Sequence, residues 1–140
     1  VRQRAWLDVA PRNDKGKAGL SRLEMIRRDQ RNPAYEPEMP EVSACGHLIG
    51  YLFDAGPFEQ GGMGPAPLSW KEINAWCDRT GIDLQPWESR MLRVLSSAYT
   101  GEMNAAEDQK RVSPCGAESG PARAYLTALM RADINATAEL

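Results

Sequence analysis

Proline and glycine limit every regular element this chain can build. Its ten prolines and twelve glycines concentrate at 33–40, 56–67 and 114–121. Proline lacks a backbone donor, fixes φ and pushes the preceding residue out of the helical region, so each cluster ends whatever precedes it. Between the clusters lie short segments whose apolar residues recur at steps of three and four. None shows the alternation of a half-buried strand. The expected fold is therefore all-α: a small bundle of four to five helices with Pro/Gly-rich connections and a flexible basic N-terminal arm.

Local signals place the helices. Ser21 with Glu24 forms an S-x-x-E capping box ahead of Leu23 and Ile26, predicting a helix over 20–31 that ends in Arg27, Arg28 and Arg31. A second helix is predicted over 41–54, with Val42, Cys45, Ile49 and Leu52 on one face. Gly46 and Gly50 are expected to admit a closely packed neighbour there. Ser69 and Glu72 form another capping box for a helix over 69–80, whose face carries Ile73 and Trp76 and whose end is marked by Gly81. Pro86 opens a helix over 86–109 with an apolar stripe of Trp87, Met91, Leu95 and Tyr99. Pro121 starts a last helix over 121–136. The expected core is Ile49, Leu52, Ile73, Trp76, Trp87, Met91, Leu95 and Tyr99.

Charge divides the chain unevenly. Residues 1–32 carry nine Lys/Arg and four acids, a local charge of +5 that a whole-chain charge of −2 conceals. Pro11, Gly16 and Gly19 make 1–19 an expected flexible arm with one short turn at Trp6 and Leu7. Three parts follow. Residues 1–38 form the basic arm and a Pro-rich linker with one short helix, 39–109 a helical core domain, and 110–140 a C-terminal linker and helix. The stretch from Gly56 to Pro67 is expected as a long loop.

Several chemistries lack their residues. His47 is the one histidine, and Cys45, Cys77 and Cys115 contain no CxxC pair, so neither a four-ligand zinc site nor a complete disulfide framework is expected. No serine sits in a G-x-S-x-G frame. The Gly-rich loop lacks G-x-x-x-x-G-K-[ST], which argues against a phosphate cradle. No enzyme activity and no cofactor are expected. No apolar run is long enough to span a bilayer, and no apolar segment follows Arg2 and Arg4 to make a secretory signal. The basic arm suits phosphate contacts, yet its acids are interspersed and Trp6 is its one stacking residue. Contact with an acidic protein segment is the stronger expectation.

One block has a wider likeness. It runs Gly61-Gly62-Met63-Gly64-Pro65-Ala66-Pro67-Leu68-Ser69-Trp70-Lys71-Glu72-Ile73-Asn74-Ala75-Trp76, then Thr80-Gly81-Ile82, then Leu84-Gln85-Pro86-Trp87-Glu88. It resembles a group of small proteins of long-tailed bacteriophages and prophages described as phage tail assembly chaperones, over about residues 39–100. The resemblance implies a non-enzymatic protein of the host cell cytoplasm. It would bind the tape measure protein, assist tail tube assembly, and contact the major tail tube protein; apart from the resemblance, self-association is a further partnership open to the chain. The alternative is a structural virion protein of the tail, in the tube, neck or tip. Phe58, Met63 and Trp70 beside the Gly/Pro loop, and Arg27, Arg28 and Arg31 in the arm, are the expected partner-binding residues.

Overall fold

A computed structural model describes residues 1–42 and 44–115. Among the described residues, five helices and one two-stranded antiparallel sheet follow in the order α1 (Arg2–Asp8), α2 (Arg22–Asp29), α3 (Gly46–Ala55), β1 (Glu59–Gly61), β2 (Gly64–Ala66), α4 (Trp70–Thr80) and α5 (Pro86–Ala106). The fold is mostly helical rather than strictly all-α. The expected helix over 121–136 lies outside the described residues.

Two compact units emerge. The first comprises Val1–Ala5 and Glu41–Ala105, and the second Trp6–Pro40 with the described residues from Ala106.

The core of the first unit is Leu48 and Leu52 from α3, Leu68, Ile73 from α4 and Leu92 from α5. Tyr51, Trp76, Leu84 and Leu95 pack half-buried around it. The Trp76 ring lies 5.3 Å from that of Tyr51, and its indole N–H donates to Asp54 Oδ2 at 2.8 Å, tying α4 to α3. Ile73 and Tyr99 are buried, and Ile49 is half-buried. Trp87 and Met91, expected in the core, are instead 48% and 40% exposed. Helix α5 has two apolar stripes, and the one carrying Leu92 and Tyr99 turns inward, with Ser96 between them.

Helix α3 begins later than its periodicity predicts. Cys45 has φ +57°, a left-handed backbone that a right-handed helix cannot contain. The close packing expected at its glycines is missing as well. Among the described residues, a Cβ on Gly50 would meet nothing within 4 Å, and one on Gly46 only Val42 Cγ1 at 4.0 Å.

The predicted loop between α3 and α4 contains the β-hairpin. Glu59 pairs with Ala66, Gln60 with Pro65 and Gly61 with Gly64. A two-stranded ribbon consists entirely of edges, so Pro65 is tolerated in β2. Gly64 has φ +112°, and a Cβ on Gly61 would stand 3.0 Å from Gly64 O and 3.1 Å from Ala66 Cβ. The glycines that disfavoured a strand by propensity are what let these two backbones approach.

The second unit replaces the expected flexible arm with ordered structure. Trp6 and Leu7 on α1 are buried, as are Leu23 and Ile26 on α2. The Trp6 indole N–H donates to Arg111 O at 2.9 Å, across 105 residues of sequence. Arg22, 2% exposed, stacks its guanidinium 4.8 Å from the Trp6 ring centroid and donates to Ala106 O at 2.7 Å and Asp108 O at 2.9 Å. Arg12 grips Glu107 with both ends of its fork at 3.1 and 3.2 Å, and its backbone N–H donates to Glu107 O. Charges that read as a solvated arm are in part anchors for a distant backbone segment.

Candidate functional site

The conspicuous surface of the first unit is the hairpin and the start of α4. Its support starts at Ser96, a buried hydroxyl in mid-α5 that accepts the Leu68 N–H at 2.8 Å and donates to Pro57 O at 2.8 Å. Both ends of the hairpin are thereby pinned to one rigid helix. Arg93, one turn earlier on α5, donates from Nε to Leu68 O at 3.2 Å. Phe58 stacks on Tyr99 of α5, nearly parallel at 6.1 Å, and Phe53 meets the same ring edge-on at 5.9 Å.

Helix α4 is joined to the hairpin at its first residue. Ser69 is the N-cap, accepting the Glu72 N–H on Oγ. The reciprocal half of the predicted capping box is taken by another residue. Glu59 of β1 accepts both the Ser69 N–H at 3.3 Å and the Ser69 Oγ–H at 3.0 Å. A carboxylate at this end also complements the helix dipole.

This framework holds two apolar side chains in solvent. Met63, in the two-residue connection between the strands, is fully exposed. Trp70, in the first turn of α4, is 44% exposed, and the Arg93 guanidinium stacks 4.8 Å from its ring centroid. Tryptophan, arginine and methionine are the residue types enriched where proteins grip partners. Of the residues expected to bind, Met63 and Trp70 are displayed, whereas Phe58 is half-buried and supports the hairpin. Arg93, Ser96 and Glu59 escaped sequence reasoning, since a lone polar residue in a helix or Gly-rich loop carries no spacing signal.

In the second unit, Arg27, Arg28 and Arg31 border a shallow depression with Glu24, Asn32 and Pro33. Arg27 is already engaged, donating to Tyr35 O at 2.8 Å and pairing with Glu36. Arg28 and Arg31 are exposed. Ser21 and Glu24 complete the predicted capping box of α2. The backbone N–H of Ser21 holds the Glu24 carboxyl below its usual range.

At the start of α5, Glu88 accepts the Gln85 N–H at 2.8 Å and lies 2.8 Å from His47 Nε2 on α3. These contacts, the backbone N–H first, lower the Glu88 pKa. The single histidine thus links two helices. Cys77 is half-buried, and desolvation raises its pKa. Among the described residues no group of three or more His, Cys, Asp or Glu is placed to hold a metal ion, and no helix is long and apolar enough to cross a membrane.

What the arrangement offers is an exposed Met63 on a braced hairpin, with Trp70 and Arg93 displayed on the helices that brace it. No curated protein and no solved structure matches the chain. A family model described as phage tail assembly chaperone matches residues 25–101, from the middle of α2 through most of α5. The match covers more than half of the 140 residues, and the chain belongs to the phage tail assembly chaperone family.

Proposed function

We propose that this protein binds the phage tape measure protein in the host cytoplasm, keeps it soluble and assists polymerisation of the tail tube around it. The observation that carries the reading is the family match over 25–101, within which the hairpin, Trp70 and Arg93 all fall. The family implies a non-enzymatic role and protein partners in the phage tail. The surface chemistry supports the narrower assignment. Met63 adapts to irregular apolar contours, and Trp70 offers a rigid ring. An amphipathic helix of a long partner presents apolar anchors at a spacing that such a surface can receive. A weak site repeated over many copies along one partner gains strength through multivalency. Arg28 and Arg31 would contact acidic segments of the same partner or of the tube protein.

Affinity purification from cells producing phage tests this. The chain should recover the tape measure protein with many copies bound per partner, and purified particles should lack it. Met63→Asp with Trp70→Ala should reduce recovery at least tenfold while the far-ultraviolet circular dichroism spectrum is retained. Stoichiometric presence in purified virions, with no complex in the lysate, would overturn the proposal in favour of a structural tail component.

A further inference from the structure

The outward face of α5 departs from what a surface helix normally shows. Such a helix turns a polar, charged face to solvent. Here Trp87, Met91 and Val94 stand 48%, 40% and 59% exposed. The same line continues through Ala98, Gly101 and Ala105, of which Gly101 is exposed and the two alanines are half-buried. No charged residue lies on it. The inward face of α5 is a different stripe, the one bearing Leu92, Ser96 and Tyr99.

The six outward positions recur at steps of four, three, four, three and four, the seam of a coiled coil. They extend about 27 Å at 1.5 Å per residue. Bulk falls along the seam from tryptophan, methionine and valine to alanine, glycine and alanine. We propose that this face is a self-association surface, on which α5 of a second copy of the chain packs antiparallel. An antiparallel seam sets Trp87 over Ala105 of the other copy, Met91 over Gly101 and Val94 over Ala98, and the two-fold axis repeats each pair. Every layer then combines a large side chain with a small one. A parallel pair would oppose tryptophan to tryptophan and glycine to glycine. A conventional leucine-lined helix would crowd one end and leave the other empty. The seam's own reverse is therefore its best complement.

Two further observations agree. Among the described residues, a Cβ on Gly101 would meet nothing within 4 Å, which leaves room over the small end for a neighbour. On the outward flank the register brings Arg90 beside Asn104 of the other copy and Ser97 beside its equivalent, and on the inner flank it brings Glu88, bonded to His47, toward Glu102, which is buried in its own chain. One helix pair of this length covers less than the ~1,600 Å² of a standard interface, which makes the dimer weak and concentration-dependent. The proposal is separate from tape measure binding through the hairpin and stands or falls without it.

Sedimentation velocity on the full chain tests the surface, and disulfide trapping tests the register. The parent should shift from monomer to dimer as its concentration rises through the micromolar range. Gly101→Trp fills the open end and should weaken dimerisation at least tenfold with the helical spectrum unchanged. Trp87→Ala should weaken it by a similar factor. With Cys45, Cys77 and Cys115 replaced by serine, a mixture of Val94→Cys and Ala98→Cys chains should form the mixed disulfide in preference to either like pair. A chain that stays monomeric to millimolar concentration overturns the proposal, as does a dimer indifferent to Gly101→Trp. Preferential trapping of two Val94→Cys chains with each other would show a parallel pair and overturn the antiparallel register. Loss of tape measure recovery in Gly101→Trp, with the chain alone always monomeric, would assign the seam to that partner instead.

Discussion

Two tryptophans exchange the environments their sequence surroundings suggest, and the contrast shows what a single residue contributes. Trp6 is fully buried, with its ring under Arg22 and its N–H on Arg111 O, whereas Trp87 is nearly half exposed. Trp6→Ala should cost about 3–5 kcal/mol through the cavity it leaves and the unpaired carbonyl. Trp87→Ala, measured dilute, should cost about 1–2 kcal/mol, since only part of its area leaves water on folding. Urea titrations of both variants check the order, and equal losses would refute it. Ser96 sets a second residue-level test. Ser96→Ala strands a buried N–H and a carbonyl, for about 1–3 kcal/mol, while Ser97→Ala on the exposed side of the same turn should stay within about 0.5 kcal/mol. Neither difference is legible in the sequence. Periodicity reveals that α5 has apolar stripes, but it cannot say which stripe turns inward. Of the expected stripe, Leu95 and Tyr99 do pack inward, but Leu92 and Ser96 take the inward places expected of Trp87 and Met91, and there the Ser96 hydroxyl finds two backbone partners.

At the scale of elements, the ends of helices were the most legible features and the hairpin the least. Ser21 with Glu24, Ser69, Thr80-Gly81 and Pro86 each mark a boundary that α2, α4 and α5 respect. These signals act over three or four residues, so sequence alone contains them. The hairpin depends on Ser96 and Arg93, 25 to 39 residues away, and no local propensity reports such partners. The caps carry a pH dependence. Glu24 is held below its usual pKa by the Ser21 N–H, and Glu88 by the Gln85 N–H and then by His47. A carboxyl with a lower pKa folded than unfolded binds fewer protons in the folded state. Its stabilisation is complete above the unfolded value, near 4.5, and fades as pH falls through the folded value. The urea midpoint should therefore decline as pH falls below about 5. Glu24→Gln and Glu88→Gln should each flatten that decline, because glutamine keeps an acceptor without a titrating charge. An unchanged slope in both variants would remove the caps as its source.

At the scale of the whole molecule, sequence order and spatial grouping differ. The second unit is assembled from Trp6–Pro40 and the segment beginning at Ala106, with the residues between them belonging largely to the first. Composition carries no hint of this, because the residues that close the unit are basic and were expected to be solvated. The partners of Arg22 are backbone carbonyls, which are present at every position and mark none, and Arg12 meets a carboxylate 95 residues away. The arrangement makes the second unit dependent on chain far from α1 and α2. A chain ending at Ala105 would deprive Arg22 of its acceptors on Ala106 and Asp108, Trp6 of Arg111 O, and Arg12 of Glu107. A buried guanidinium stripped of its carbonyls must rehydrate, which requires its surroundings to open. Residues 6–40 should then lose amide-exchange protection by several orders of magnitude and become cleavable by trypsin after Arg22 and Arg27. The core of Leu48, Leu52, Leu68, Ile73 and Leu92 comes entirely from the first unit, so amides of α3 and α4 should keep protection within about tenfold of the full chain. Hydrogen exchange with peptide-level mass analysis separates the two responses. Uniform loss across both units would show that the first cannot fold without the second, and retained protection at α2 would show that the carbonyls of 106–111 are dispensable.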